Sequence, residues 1–499
     1  MAALSRARVT SMTVTTAIRP RATSSAATAT ATATDTATNA NVSAAGAKRV
    51  LAASVFGFFL VGLDAMVVNV ALPAINRSLA GGLSGAQWVI DGYTLAFAAL
   101  MLSAGALADR IGARAAYGLG LVGFTLASAA CGLAPSLALL IVARLAQGAA
   151  ASVMLPASLA LVRQAFPDPV ARNKAIAIWT AAGSAAAAAG PVAGGLITAA
   201  VDWRWIFFLN LPAGALALAL LAGTAKSAPA ARTASHFDLA GLLSSVVALA
   251  GLTYGFIEGG SKGFGTAPVL AAFGAAAVAA VVFAVAESVQ SRTPQAQPMV
   301  PLALFRSRAM SLAAAAGFAV NAAFYGVIFV LSLYFQQVGH KSPTVTGLLF
   351  APITAVVTLV NLTVAARMVA RIGAGVSMTI GLVGTAAAML VLLAVRPDLP
   401  AWALVLLLVP VAFAGSFVVP ALTIMVMGSV PADRAGTAAG IVNTSRQVGG
   451  ALSVAVIGAL VAGGDFTGGM HAGLIGMAAL LLVTALTVKF LAPGKKQAD

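Results

Sequence analysis

Charge and sulfur are what this chain has least of. Asp, Glu, Lys and Arg make up 8% of its 499 residues, against roughly 25% in soluble domains. Cysteine occurs once, at Cys131, which excludes an internal disulfide and leaves no thiolate metal site. The histidines, His236, His340 and His471, are too scattered to suggest a ligand set, so no metal is expected. No Gly-x-x-x-x-Gly-Lys-Ser/Thr loop occurs, which removes the phosphate cradle of an ATP-driven machine. What is abundant is apolar: 60% of the residues are hydrophobic. A bilayer core of roughly 30 Å takes about 20 apolar residues per helix, and this composition excludes a water-soluble globule.

Fourteen apolar spans follow one another with short polar breaks: 50–72, 86–107, 115–134, 137–162, 173–198, 205–224, 238–257, 267–287, 309–335, 344–366, 374–395, 401–427, 435–462 and 470–492. Backbone left unpaired in lipid is too costly for anything but helices or a closed barrel, and runs this long are helices. The expected fold class is an all-α polytopic membrane protein. Residues 1–49, rich in Ala, Thr and Ser with a few arginines, read as a disordered tail, and 493–499 as a second tail.

The formal charge of +16 invites nucleic acid as a partner, but the positions of the basic residues exclude it. With the N-terminus inside, twenty-two of the 29 Lys and Arg fall on the inner side, five on the outer side, and Arg144 and Arg446 within spans. Cytoplasmic loops retain positive charge, so both termini are expected in the cytoplasm, and the excess charge reports topology and attraction to anionic lipid.

The chain also repeats itself. Ala108-Asp109-Arg110-Ile111-Gly112-Ala113 is echoed by Val369-Ala370-Arg371-Ile372-Gly373-Ala374, 261 residues later. A duplicated six-helix unit with two helices inserted between the copies accounts for the offset, and duplicated halves are frequent in secondary transporters that bind substrate near the midplane. The expected organisation is a six-helix bundle at 50–224, two inserted helices with flanking loops at 225–308, and a second six-helix bundle at 309–492.

Gly105 through Arg114, with Asp109, Arg110 and Gly112 inside it, resembles the major facilitator signature between the second and third helices. Leu63-Asp64 through Pro73, Trp88 through Tyr93, Arg144-Leu145-Ala146-Gln147-Gly148, Gly183 through Gly195, Trp203 through Pro212 and Asn443 through Gly450 resemble, in order, motifs of the fourteen-helix drug:proton antiporter branch of that superfamily. The sequence departs from the pattern at Met66, where Thr is usual, at Ala113, where a basic residue is common, and at Ala150, in place of Gly. The resemblance implies the major facilitator fold, two six-helix bundles plus two inserted helices, in a bacterial inner membrane. It implies a proton-coupled exporter of small amphipathic compounds such as drugs or antibiotics, working by alternating access; no enzyme activity and no cofactor beyond the proton gradient are expected. Uptake or exchange of a metabolite would share the same fold, and a non-transporting membrane sensor is the third reading.

An ionisable residue within a spanning helix is costly and normally lines a cavity and works. Asp64 is therefore the first choice for the proton-carrying acid and Asp91 the second, with Arg144 and Arg446 as modulators of that acid or attractants for an acidic substrate. A carboxylate at Asp64 permanently paired with Arg144 or Arg446 is the alternative. The acid and arginines of Gly105–Arg114 can form an ion-pair latch between conformations. Gly183, Gly190, Pro191, Gly194 and Gly195 permit close helix contact and a bend, expected to seal against leak. Asn69, Tyr93, Gln147, Asn321, Phe324 and Tyr325 are expected to line an apolar pocket. Because Asp64 and Asp91 are the acids set within spans, the second half holds no deep acid. Neutral, monocationic or acidic amphiphiles are therefore expected over dications, with Arg144 and Arg446 available to an anion.

Overall fold

In the computed structural model, residues 44–223, 238–292, 298–430 and 435–492 are described, and from Gly46 onward they belong to one compact unit. The segment expected as a tail falls outside the described residues as far as residue 43, and 493–499 fall outside as well. Fourteen long helices follow the apolar spans one for one. They are α1 (Ala44–Leu79), α2 (Gly82–Ile111), α3 (Ala113–Gly132), α4 (Leu137–Ala165) and α5 (Pro169–Ala200); α6 (Trp205–Ala222); α7 (Leu239–Lys262) and α8 (Ala267–Gln290); α9 (Arg308–Val338), α10 (Pro343–Ala365), α11 (Ala374–Ala394) and α12 (Ala401–Met427); and α13 (Ala435–Val461) and α14 (Phe466–Leu491). Thirteen are long and apolar enough to cross a membrane by length and composition; α2, with 30 residues, is the fourteenth. The first helix starts at Ala44, ahead of the boundary expected at 50, because Ala44-Ala45-Gly46-Ala47 continues the small, helix-compatible sequence into α1.

The ends of the helices follow local chemistry. Ser136, Asp168, Ser342 and Asp465 each accept a hydrogen bond from a backbone N–H of the first turn that follows, satisfying a donor the helix itself leaves open. The internal repeat is visible in the backbone. Gly112 and Gly373, the repeated glycines, both take φ +87° and both link two helices without a longer loop, a conformation that disfavours a side chain.

Within the first half, α4 packs on α2 and α3, and α3 on α6. Within the second, α9 packs on α13, and α11 on α14 and α12. The inserted helices α7 and α8 pack on each other, and α7 also lies against α2 and α13. Glu258 fastens that contact: it accepts hydrogen bonds from Ser84 (3.1 Å) and Trp88 (3.3 Å) of α2 and pairs with Lys262 at 2.7 Å.

The halves touch most closely at the end of the bundle that carries the α1–α2 turn. There Ser332 and Gln336 of α9 donate to the backbone oxygens of Asn69 and Val70, at 2.8 and 3.0 Å. Gln87 of α2 donates to the carbonyls of Val454 and Ala455 on α13, at 3.3 and 3.1 Å, and Thr344 of α10 donates to that of Gly195 at 3.3 Å.

Candidate functional site

Asp64, in the middle of α1, is fully buried and forms an ion pair with Arg144 of α4, also buried. Of the two arginines open to it from sequence, it takes Arg144. Its other carboxylate oxygen accepts from Gln147 and from Asn210 of α6, both at 2.9 Å. Arg144 donates in addition to the carbonyl of Val89 (3.0 Å) and to Gln147 (2.8 Å), and its guanidinium lies 4.3 Å from the centre of the Tyr93 ring. Asn210 in turn donates to Ser128 at 3.0 Å, which donates to the carbonyl of Phe207 at 2.8 Å. Five helices of the first half, α1, α2, α3, α4 and α6, are thus joined through one charge-neutral polar cluster. A buried pair survives desolvation when its remaining donors and acceptors are met; here both Asp64 oxygens and two of the Arg144 nitrogens are engaged.

Tyr93 separates this cluster from a central cavity of about 1410 Å³ between the halves. Drug-sized ligands occupy pockets of roughly 300–1,000 Å³, so the space is ample. Its walls include Tyr93, Asn321, Phe324 and Tyr325. Asn69 and Gln147 are a correction, since neither belongs to the lining. The amide of Asn69 bonds back to its own helix, at Ala65 (3.0 Å) and Met66 (3.4 Å), and Gln147 is engaged by Asp64 and Arg144. Arg144, read from sequence as a modulator of the acid or an attractant for an acidic substrate, is likewise absent from the walls.

Arg446 lines the cavity from α13. It donates to the side-chain oxygens of Asn321 (3.2 Å) and Asn443 (3.5 Å), and among the described residues no carboxylate pairs with it. Its stem lies against α9 at Gly317, where an added Cβ would come within 2.8 Å of its Cγ. Gly105 and Arg110 belong to the same cavity at the end of the bundle carrying the α2–α3 turn, where Arg110 and Arg163 are exposed. Arg114 donates to the carbonyl of Leu221 at 3.1 Å. The side chain of Asp109 lies outside the described residues.

Asp91 of α2 is also fully buried. Neither of its carboxylate oxygens has a hydrogen-bond partner among the described residues. The hydroxyl of Thr94, one turn on, donates to the backbone carbonyls of Ile90 (3.2 Å) and Asp91 (3.4 Å). Gln87, one turn before Asp91, reaches α13, and Trp88 reaches α7.

The glycines singled out in α5 lie where backbones approach. A Cβ on Gly194 would strike the carbonyl of Val67 in α1, and one on Gly195 the carbonyl of Pro343 in α10. Gly347 of α10 returns the contact against the carbonyl of Pro191. Gly190 lies against Met66, and Gly183 against the ring of Phe58. Side chains at these positions would push the helices apart.

Sequence reasoning missed three residues. Asn210 and Ser128 complete the Asp64 cluster; a lone amide in the apolar run that follows Phe208 was the available signal for the first. Glu287 is buried at the close of α8 and accepts from the backbone N–H of Val300 at 3.0 Å, tying the inserted pair to the segment that leads into α9.

Residues 54–454 match the Major Facilitator Superfamily. The chain is 40% identical over 415 residues to the multidrug resistance protein Stp of Mycobacterium tuberculosis (strain CDC 1551 / Oshkosh), covering 83% of this chain and 75% of that protein. It is 34% identical over 412 residues to the tetracenomycin C resistance and export protein of Streptomyces glaucescens, covering 83% and 75%. The fold is similar to that of a crystallised peptide transporter POT, with a TM-score of 0.66 at 17% identity over 90% of this chain and 94% of that one. The duplicated bundles, the cavity between them and the match over most of the length agree: the chain belongs to the Major Facilitator Superfamily.

Proposed function

We propose that this protein exports small amphipathic compounds of the drug or antibiotic class across a bacterial inner membrane by alternating access, driven by proton entry. The observation that carries the reading is a cavity between two halves that reaches exposed residues at one end while the other end is held by contacts between the halves. Relatives named for multidrug resistance and for antibiotic resistance and export support the same direction. With both termini in the cytoplasm, as twenty-two inner against five outer basic residues argue, the open end faces inward, ready to load substrate.

In this reading the contacts at Gly194, Gly195 and Gly347 form the outer seal, and the Gly105–Arg114 turn is remade as a latch when the cavity turns outward. Asp64 and Asp91 are the acids available to carry the proton, with Arg144 and Arg446 setting the local charge. They differ in what a proton would displace. At Asp64 it would break a pair with Arg144; at Asp91 it would displace nothing among the described residues.

Inverted membrane vesicles containing the protein, acidified inside, test the proposal. A neutral lipophilic fluorescent drug should accumulate, and a proton ionophore should abolish the accumulation. Accumulation indifferent to the ionophore, or equal to that of vesicles lacking the protein, refutes it.

A further inference from the structure

Given that export reading, on which it rests, we infer that Arg446 is an anion subsite of the cavity, and that the preferred substrates are amphiphiles with an apolar, aromatic-sized body and a single negative charge. Three observations lead there. The first is the charge of the walls: among the described residues, the charged members of the lining are Arg110, Arg163, Arg446 and Asp238, and Asp238 caps the first turn of α7 through the N–H of Gly241 at 2.7 Å. Arg446 lies deeper, eleven residues into α13, or about 16 Å at 1.5 Å per residue, close to the middle of a bilayer-sized bundle.

The second is its unmet charge. A guanidinium has five N–H donors. Asn321 and Asn443 accept from two of its nitrogens, and as neutral amides they orient the group without cancelling its charge. The fork that remains suits a carboxylate or an enolate. A cation withdrawn from bulk water without a counter-ion is penalised, and a bound anion relieves that penalty, whereas a neutral or cationic ligand does not.

The third is the adjoining surface. Phe324 and Tyr325, one turn beyond Asn321, stand edge to face with ring centres 5.9 Å apart, and both belong to the same cavity wall. Tyr325 is braced by α13, where a Cβ on Gly450 would lie 3.2 Å from its ring. A flat apolar body can rest there while its acid reaches Arg446.

Three probes of one shape separate the charges: dansylglycine (carboxylate), dansylglycinamide (neutral) and monodansyl ethylenediamine (ammonium). Fluorescence titration of the purified full-length protein in nanodiscs should show dansylglycine bound about tenfold more tightly than the amide, with the ammonium weakest. Arg446→Gln should weaken dansylglycine by about tenfold while leaving dansylglycinamide within about threefold. Asn321→Asp, which places a carboxylate beside the guanidinium and cancels its charge, should abolish the preference for the acid probe. Equal wild-type affinity for acid and amide, equal weakening of both by Arg446→Gln, or an undiminished acid preference in Asn321→Asp overturns the inference. Gradient-driven export of all three probes without regard to charge would overturn the anion subsite and leave the export reading standing. The expected order of binding without gradient-driven movement would leave the subsite and sink export.

Discussion

Each half of the molecule sets one arginine deep in a helix, and the two are treated in opposite ways. Arg144 is enclosed by an acid, an amide, a backbone carbonyl and an aromatic face. Arg446 has two amides and an open cavity. The first arrangement is neutral, so it can hold α1, α2, α3, α4 and α6 in register whatever the cavity contains. The second is incomplete, so its energy depends on what enters. Buried charge that is satisfied fixes structure, and buried charge left unsatisfied is available for function.

Arg144→Gln should do the greatest damage. It leaves the Asp64 carboxylate enclosed with amide donors alone, and removing one partner of a buried pair costs about 3–5 kcal/mol. We expect low yield, a marked fall in thermal stability in detergent, and no export. A variant that melts with the wild type would mean that the Asp64–Arg144 cluster is hydrated in the membrane and that the contrast with Arg446 is false.

Asp64→Asn should be milder, because the amide keeps the size of the side chain and Arg144 retains Gln147 and Val89. A loss of about 1–3 kcal/mol is expected, together with loss of gradient-driven export. Adding Arg144→Gln to Asp64→Asn should cost less than the sum of the two, since the second change no longer strands a charge. Additive losses in the thermal melts would argue against a paired unit. Arg446→Gln has no carboxylate to strand, and its effect on the melt should stay below about 1 kcal/mol.

The contrast was half legible in the sequence. Hydropathy located every helix, because spanning length is imposed by the bilayer, with α1 (Ala44–Leu79) the one that overruns its expected 50–72 most, and the repeated Gly112 and Gly373 marked equivalent turns. The two deep arginines were visible as charges in apolar runs. Which of them meets Asp64 was not, because that depends on how α4 and α13 are rotated and tilted, and packing against neighbours sets both. The same limit misplaced Asn69 and Gln147 in the pocket: their types suited a polar wall, while their partners lie along or behind the helices. Gln87, whose amide reaches α13, gave no sign of that role, since a glutamine near a helix end is ordinarily a solvated residue.

Asp91 supplies the finest test, as the acid that mirrors Arg446: one is an acid without a cation, the other a cation without an acid. It lies on α2 one turn beyond Gln87, which binds α13, and Trp88, which binds α7, so a change in its charge is felt close to where the halves and the inserted pair meet. Asp91→Asn removes a charge that no described residue offsets and introduces an amide of nearly equal size. The carboxylate has no partner to lose, and the amide brings its own unmet hydrogen-bonding groups, so the two penalties nearly cancel. The melt should therefore move by less than about 1 kcal/mol in either direction. Export driven by the proton gradient should fall, while binding of dansylglycinamide in the cavity should not, because Asp91 is not part of the cavity wall. A destabilisation as large as that of Arg144→Gln would give Asp91 a structural partner. Undiminished gradient-driven export would remove it from proton coupling and leave Asp64 as the remaining buried acid among the described residues of the first two helices.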